Sequence, residues 1–258
     1  MTQAIALVTG ASSGIGEALA RALAARGTHV LLVARSATRL EQIAQEIRQT
    51  GGAATVLPAD LSRPGAAQRL HEEVKRRGLA VDVLVNNAGF GHYGPFEAEA
   101  LEHLAGQLQV NVVVLTELTR LFAPELLARR GVVLNLASTV AFQPAPYMSV
   151  YGATKAFVLS FTEALWAEYR GRGLHVAAVC PGPVETPFIE AMGPDVRETA
   201  VFRNTLSIDQ VVRACLAALA GAAPTRVVGW RNWLSAQSSR FAPRALTARI
   251  GARMLKPR

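Results

Sequence analysis

An alternation that runs the length of the chain restricts the fold more than any other feature. Short apolar segments at 4–8, 29–34, 53–57, 81–85, 132–137, 175–179 and 226–228 are separated by helical periodicity near 14–25, 38–50, 64–77, 101–127, 149–169 and 208–219. Apolar runs of strand length between helix-length segments build βαβ units, and these build a parallel sheet covered by helices on both faces. With 258 residues, half of them hydrophobic, the chain can bury one substantial core. No internal repeat, low-complexity linker or second domain interrupts the pattern. The expectation is a single doubly wound α/β domain.

The first strand runs directly into TGASSGIGEAL, with Gly10, Ser12, Ser13, Gly14, Ile15 and Gly16 between strand and helix. A helix N-terminus offers unpaired N–H groups and partial positive charge, and glycines let a phosphate approach the backbone. The spacing is GxxxGxG, not the commoner GxGxxG, and a glycine-rich turn alone is weak evidence. Its place after the first strand of a βα alternation is what makes it a pyrophosphate cradle. The second strand ends in LLVARS, so Arg35 stands where an NAD-selective site would offer a carboxylate to the ribose hydroxyls. Arginine can instead fork onto a 2′-phosphate, although it can equally end a strand in solvent. The chain is therefore expected to prefer NADP(H).

Farther along, Asp60 and Leu61 follow the third strand, Asn87, Ala88 and Gly89 follow the fourth within NNAG, and Ser138 ends the fifth. Asn111 lies inside a helix. Tyr151 and Lys155, in SVYGATKAF, are four residues apart and share a helix face, an arrangement that often merely decorates a surface. In open parallel sheets ligands bind beyond the carboxyl ends of the strands, so these groups should converge.

Taken in order, TGASSGIG, Asp60–Leu61, NNAG, Asn111, Ser138, YGATK and CPGPVETP resemble the short-chain dehydrogenase/reductase family over about residues 4 to 187. The resemblance implies a Rossmann-type, mostly seven-stranded parallel sheet and a catalytic tetrad of Asn111, Ser138, Tyr151 and Lys155. In such a site Ser138 holds a carbonyl oxygen while Tyr151 exchanges a proton with it. Lys155 lowers the phenol's pKa and bonds the nicotinamide ribose, and Asn111 holds a water that relays protons to solvent. The resemblance also places Asp60 and Leu61 at the adenine, Asn87, Ala88 and Gly89 along the cofactor's middle, and Pro181, Gly182 and Thr186 at the nicotinamide end. The implied activity is hydride transfer between NADPH and a carbonyl or secondary alcohol. Epimerases and dehydratases share the fold and the YxxxK pair, and a non-catalytic NADP sensor is a third alternative.

Residues 1–225 are read as the catalytic domain, with a substrate lid near 188–206 where periodicity is lost. His92, Tyr93, Phe96, Phe142, Tyr147, Phe188 and Phe202 are the candidates for an apolar substrate pocket. The net charge of +8 sits in the remaining segment: residues 226–258 carry eight basic and no acidic residues, leaving 19 of each sign before them. A balanced body argues against nucleic acid as a partner. The basic extension has an apolar stripe at Leu246, Ile250 and Met254. It is expected to pack on its own domain or a second subunit in preference to a membrane surface or an acyl carrier. Cys180 and Cys215 form no CxxC pair, and no sequence cluster of His, Cys or carboxylates has metal-ligand spacing, so no metal is expected. No apolar run reaches the ~18 residues of a membrane span, and a cytoplasmic homodimer or homotetramer is expected, with interfaces on the helices at 101–127 and 149–169.

Overall fold

A computed structural model describes residues 3–199, 201–202, 204–239 and 241–256. Seven strands, β1 (Ile5–Thr9), β2 (His29–Ala34), β3 (Ala54–Pro58), β4 (Val83–Asn86), β5 (Val132–Leu136), β6 (His175–Cys180) and β7 (Thr225–Val227), form one sheet in the order β3-β2-β1-β4-β5-β6-β7. Every neighbouring pair is parallel. The strand order reverses between β1 and β4, which opens a crevice at their carboxyl ends.

The helices are α1 (Gly14–Ala24), α2 (Ala37–Gln49), α3 (Ala66–Arg76), α4 (Leu101–Leu108), α5 (Leu115–Arg129), α6 (Ser149–Tyr169), α7 (Pro187–Ala191), α8 (Ile208–Leu219), α9 (Trp230–Ser238) and α10 (Arg244–Leu255). Successive strand residues point to opposite faces, and the core divides accordingly. Ala6 and Val8 of β1, with Val30 and Leu32 of β2, pack among residues of α1, α2 and α8. Leu7, Leu31 and Val33 pack on the other face with Leu70 and Val74 of α3 and Leu118, Phe122 and Leu126 of α5.

One expected element is different in kind. The long helix at 101–127 is broken by a π-helical segment, Gln109–Val114, between α4 and α5. The irregular stretch 188–206 contains α7, a 3₁₀ turn at Pro194–Glu198 and a bridge between Val184 and Leu206. Ala200 and Arg203 of the expected lid, and Arg240, Pro257 and Arg258 of the basic extension, lie outside the described residues.

Candidate functional site

The phosphate end is built by the turn from β1 into α1. Gly10 has φ +68°, and a Cβ there would come within 2.8 Å of the Asn87 amide nitrogen. A Cβ on Gly16 would run into the Gly10 carbonyl, so both positions require glycine for close approach. Ser13 caps α1 in an extended conformation without a side-chain hydrogen bond. The first-turn N–H groups therefore have no side-chain acceptor. Glu17 in that turn would repel an anion, but its carboxylate accepts 2.9 Å bonds from Arg21 and Arg39.

Arg39 also donates to the Ser12 carbonyl at 3.4 Å. Sequence reading missed this second cation; its only signal is a position one helical turn past Arg35. Arg35 itself is exposed and faces the same cleft. Asp60 accepts from the Ser62 backbone N–H and hydroxyl at 3.0 and 2.6 Å. Those bonds hold its carboxyl below the usual range, with Arg63 and Arg35 adding to the effect.

Thr9, also unassigned from sequence, ties β1 to the NNAG turn. Its buried hydroxyl donates to the Val85 carbonyl at 3.1 Å and accepts from the backbone N–H groups of Asn87 and Ala88, both at 3.0 Å. The Asn87 side chain returns a 2.9 Å bond to the Thr9 carbonyl. A small polar residue at a strand end thus fixes two of the expected cofactor-lining positions.

Ser138, Tyr151 and Lys155 converge where β5 meets α6, and all three are buried. The Ser138 hydroxyl donates to the Pro181 carbonyl at 3.4 Å and favours the ionised form of the neighbouring Tyr151 phenol. The Lys155 ammonium donates to the Leu136 carbonyl at 2.7 Å and stands 5.7 Å from the centre of the Tyr151 ring. Burial raises the phenol's pKa, opposed by the Ser138 hydroxyl, and lowers that of Lys155 to about 8. The downward pull of Lys155 on Tyr151 expected from sequence is not among the causes acting on the phenol, which desolvation dominates.

Asn111 sits in the π segment, where a wider helical turn redirects one side chain. Its amide donates to the Phe90 carbonyl at 2.9 Å and to Thr154 at 3.1 Å, and its oxygen accepts from Phe90 N–H at 3.1 Å. The side chain ties the loop after β4 to α6. Gly89 lies between it and the lysine: a Cβ there would come within 3.0 Å of the Asn111 oxygen and 3.6 Å of the Lys155 nitrogen.

A cleft of about 730 Å³ joins these parts. Gly10, Ser12, Ser13, Gly14, Ile15, Arg35, Asp60, Leu61, Asn87, Ala88 and Gly89 line its length, with Ser138, Tyr151, Lys155, Pro181, Gly182 and Thr186 toward the far end. Gly16 and Asn111 stand behind the wall. Thr186 closes on the glycine turn, since a Cβ on Gly14 would meet its methyl at 3.2 Å. Gly182 packs against Asn232 of α9, so the basic extension contributes to this wall.

The pocket candidates divide. Phe188 and Phe202 line the cleft, joined by Phe90, Met148, Ile189 and Met192, which sequence reading did not select. Tyr93 is buried behind the lining, and Phe96 is 61% exposed. His92, Phe142 and Tyr147 are half-buried and not part of the lining.

Three potential ligand groups do gather in space: among the described residues, donor atoms of His92, Glu99 and His103 lie within 4.8 Å of one another. The i, i+4 spacing of Glu99 and His103 was the available signal. Glu99 is already satisfied by His103 at 2.6 Å and by the Gln107 amide.

The chain matches the short chain dehydrogenase family model over residues 4–197. It is 39% identical over 184 residues to a short chain dehydrogenase of Pseudocercospora fijiensis, an alignment covering 70% of this chain and 60% of that protein. It is 33% identical over 240 residues to the very-long-chain 3-oxoacyl-CoA reductase of Anas platyrhynchos, covering 87% of this chain and 73% of the relative. The chain thus spans well short of the full length of both curated relatives. Among solved structures, a short-chain dehydrogenase from Sphingobium yanoikuyae in complex with NADPH superposes with a TM-score of 0.82 at 32% identity, covering 92% of this chain and 94% of that one. Sheet order, glycine turn and family match agree, and the chain belongs to the short-chain dehydrogenase family.

Proposed function

We propose that this chain is an NADPH-dependent oxidoreductase that transfers a hydride between the nicotinamide and a carbonyl or secondary alcohol on a largely apolar substrate. The observation that carries the reading is the convergence of Ser138, Tyr151 and Lys155 in a cleft that also reaches the open N-terminus of α1 and Arg35. The donor set suits a dinucleotide: backbone N–H groups and arginines at one end, a hydroxyl pair and an amine at the other. When bound, NADPH supplies the hydride.

The protein's part is to place the substrate and move a proton. Ser138 donates a hydrogen bond to the carbonyl oxygen as negative charge builds there. Tyr151 gives its phenolic proton to that oxygen, completing the alcohol, and the resulting phenolate is stabilised by the Lys155 ammonium. Burial keeps the phenol protonated in the chain alone, the form that carbonyl reduction requires. Asn111 acts through Phe90 and Thr154, holding the loop and helix that shape this corner. Phe90, Met148, Phe188, Ile189, Met192 and Phe202 supply an apolar wall for the substrate. The very-long-chain 3-oxoacyl-CoA reductase among the relatives supports a ketone with a long apolar chain.

Stoichiometric NADPH oxidation against aliphatic, aromatic, steroidal and acyl carbonyls tests the reading, since an epimerase or a sensor would consume no cofactor. A kcat/KM ratio favouring NADPH over NADH is expected. Arg35→Ala should lower that ratio about 10- to 100-fold, the worth of one charge-assisted hydrogen bond. An unchanged ratio would move the 2′-phosphate contact to Arg39.

A further inference from the structure

Seven of the twelve large apolar side chains that are exposed among the described residues fall between positions 230 and 254: Trp230, Trp233, Leu234, Phe241, Leu246, Ile250 and Met254. In α9 the apolar positions are i, i+3 and i+4, and in α10 they are i, i+4 and i+8, so each helix presents one greasy face. Phe241, between the helices, is 88% exposed. Single exposed leucines are ordinary, but such a concentration in one short segment marks an interaction surface.

Charge selects what it meets. From Arg226 onward the sequence has eight cations and no anion, and Arg231, Arg244, Arg249, Arg253 and Lys256 are exposed beside the apolar stripes. A second copy using the same face in a symmetric dimer would press these cations against themselves. An anionic lipid surface answers both features: aromatic and aliphatic side chains enter the headgroup–acyl boundary while arginines pair with lipid phosphates.

We propose that α9 and α10 form an interfacial docking surface for anionic membranes. The two helices rest on neighbouring parts of one segment. α9 contacts the 3₁₀ turn Thr139–Phe142, and Gly251 of α10 packs so closely on that segment that a Cβ would meet the Pro144 carbonyl at 3.2 Å. The docking surface is thereby coupled to the cleft. Leu255 is buried in the same cluster as Tyr151, Met148 and Ile189, and its carbonyl accepts a 2.7 Å bond from Tyr93. Given the proposed apolar substrate, docking would present the cleft to molecules dissolved in lipid. The docking itself does not depend on that reading.

Co-sedimentation of the full chain with phosphatidylcholine vesicles, with and without phosphatidylglycerol, tests the proposal. The protein should pellet with the anionic vesicles, be released by salt, and show a blue-shifted tryptophan emission from Trp230 and Trp233. The combined variant Phe241→Ser, Leu246→Ser, Ile250→Ser should lose at least tenfold in vesicle partitioning, as should Arg244→Glu with Arg249→Glu. Both should retain NADPH oxidation with a water-soluble ketone. Where neither variant is active, an unchanged circular-dichroism melt serves as the folding control, and this separates failure of docking from failure of the proposed activity. Equal pelleting without anionic lipid, or wild-type partitioning of both variants, overturns the proposal. So does a smaller sedimenting species for the variants without vesicle binding by the parent, which would make the face a subunit contact.

Discussion

Lys155 is in an unfavourable place for a charge, and its stability effect has a definite sign. Burial lowers its pKa from 10.5 to about 8, so below pH 8 the native state bears the whole cost of a desolvated ammonium, about 3 kcal/mol. Between pH 8 and 10.5 the unfolded chain holds a proton that the folded chain has released, and stability rises with pH. Above 10.5 both states are neutral and the cost is gone. Lys155→Met, which retains most of the apolar stem, should therefore be more stable than the parent at pH 7 by up to about 3 kcal/mol. That advantage should vanish by pH 10.5 in urea melts followed across the range. Tyr151→Phe isolates the proton instead. It keeps the ring that packs near Phe188, whose centroid is 5.5 Å away. NADPH affinity should stay near the parent's while kcat falls about 10²- to 10⁴-fold, the usual worth of a positioned acid. Near-normal turnover would remove Tyr151 from the chemistry.

At the scale of elements, sequence and structure agree where hydrophobic period decides and part where it does not. The strand at 29–34 and the helices at 149–169 and 208–219 have the expected bounds; for the strand and the helix at 208–219 this is because buried strands and amphipathic helices write their period into the sequence. The π segment was illegible: widening one turn barely changes the order of apolar residues, yet it redirects Asn111 from its own helix to the Phe90 loop. Thr9 was hidden for a different reason. Its role lies in hydrogen bonds to residues 76 to 79 positions away, and no local spacing reports contacts at that distance. Tyr151 and Lys155 were legible because a helix brings i and i+4 together without help from tertiary structure. Asn111→Leu tests the element that was not foreseen. It would leave the Phe90 N–H and carbonyl without their buried partner, at about 1–3 kcal/mol for each unsatisfied group. A loss of about 2–3 kcal/mol in chemical denaturation is expected, with kcat falling more than NADPH affinity as the loop loosens. Unchanged stability would mean that the backbone of Phe90 finds other partners.

For the molecule as a whole, the charge distribution separates two kinds of surface. Up to residue 225 the basic and acidic residues balance, and the apolar side chains exposed there include Leu101, Leu108, Val113 and Phe157. These lie on α4, the π segment and α6, the helices expected from sequence to carry subunit contacts. Because it lacks the repulsion that marks the basic extension, we propose this surface as the contact with a second copy of the chain. Phe157 stacks on Phe161, with ring centres 5.7 Å apart and planes 15° from parallel, so the pair forms a flat apolar step on α6. A charge there would be buried unpaired at a subunit contact, whereas in a monomer it would remain in water. Phe157→Glu should therefore shift the sedimentation coefficient to a smaller species while leaving the circular-dichroism spectrum unchanged. An unaltered coefficient would exclude the α6 face as an interface.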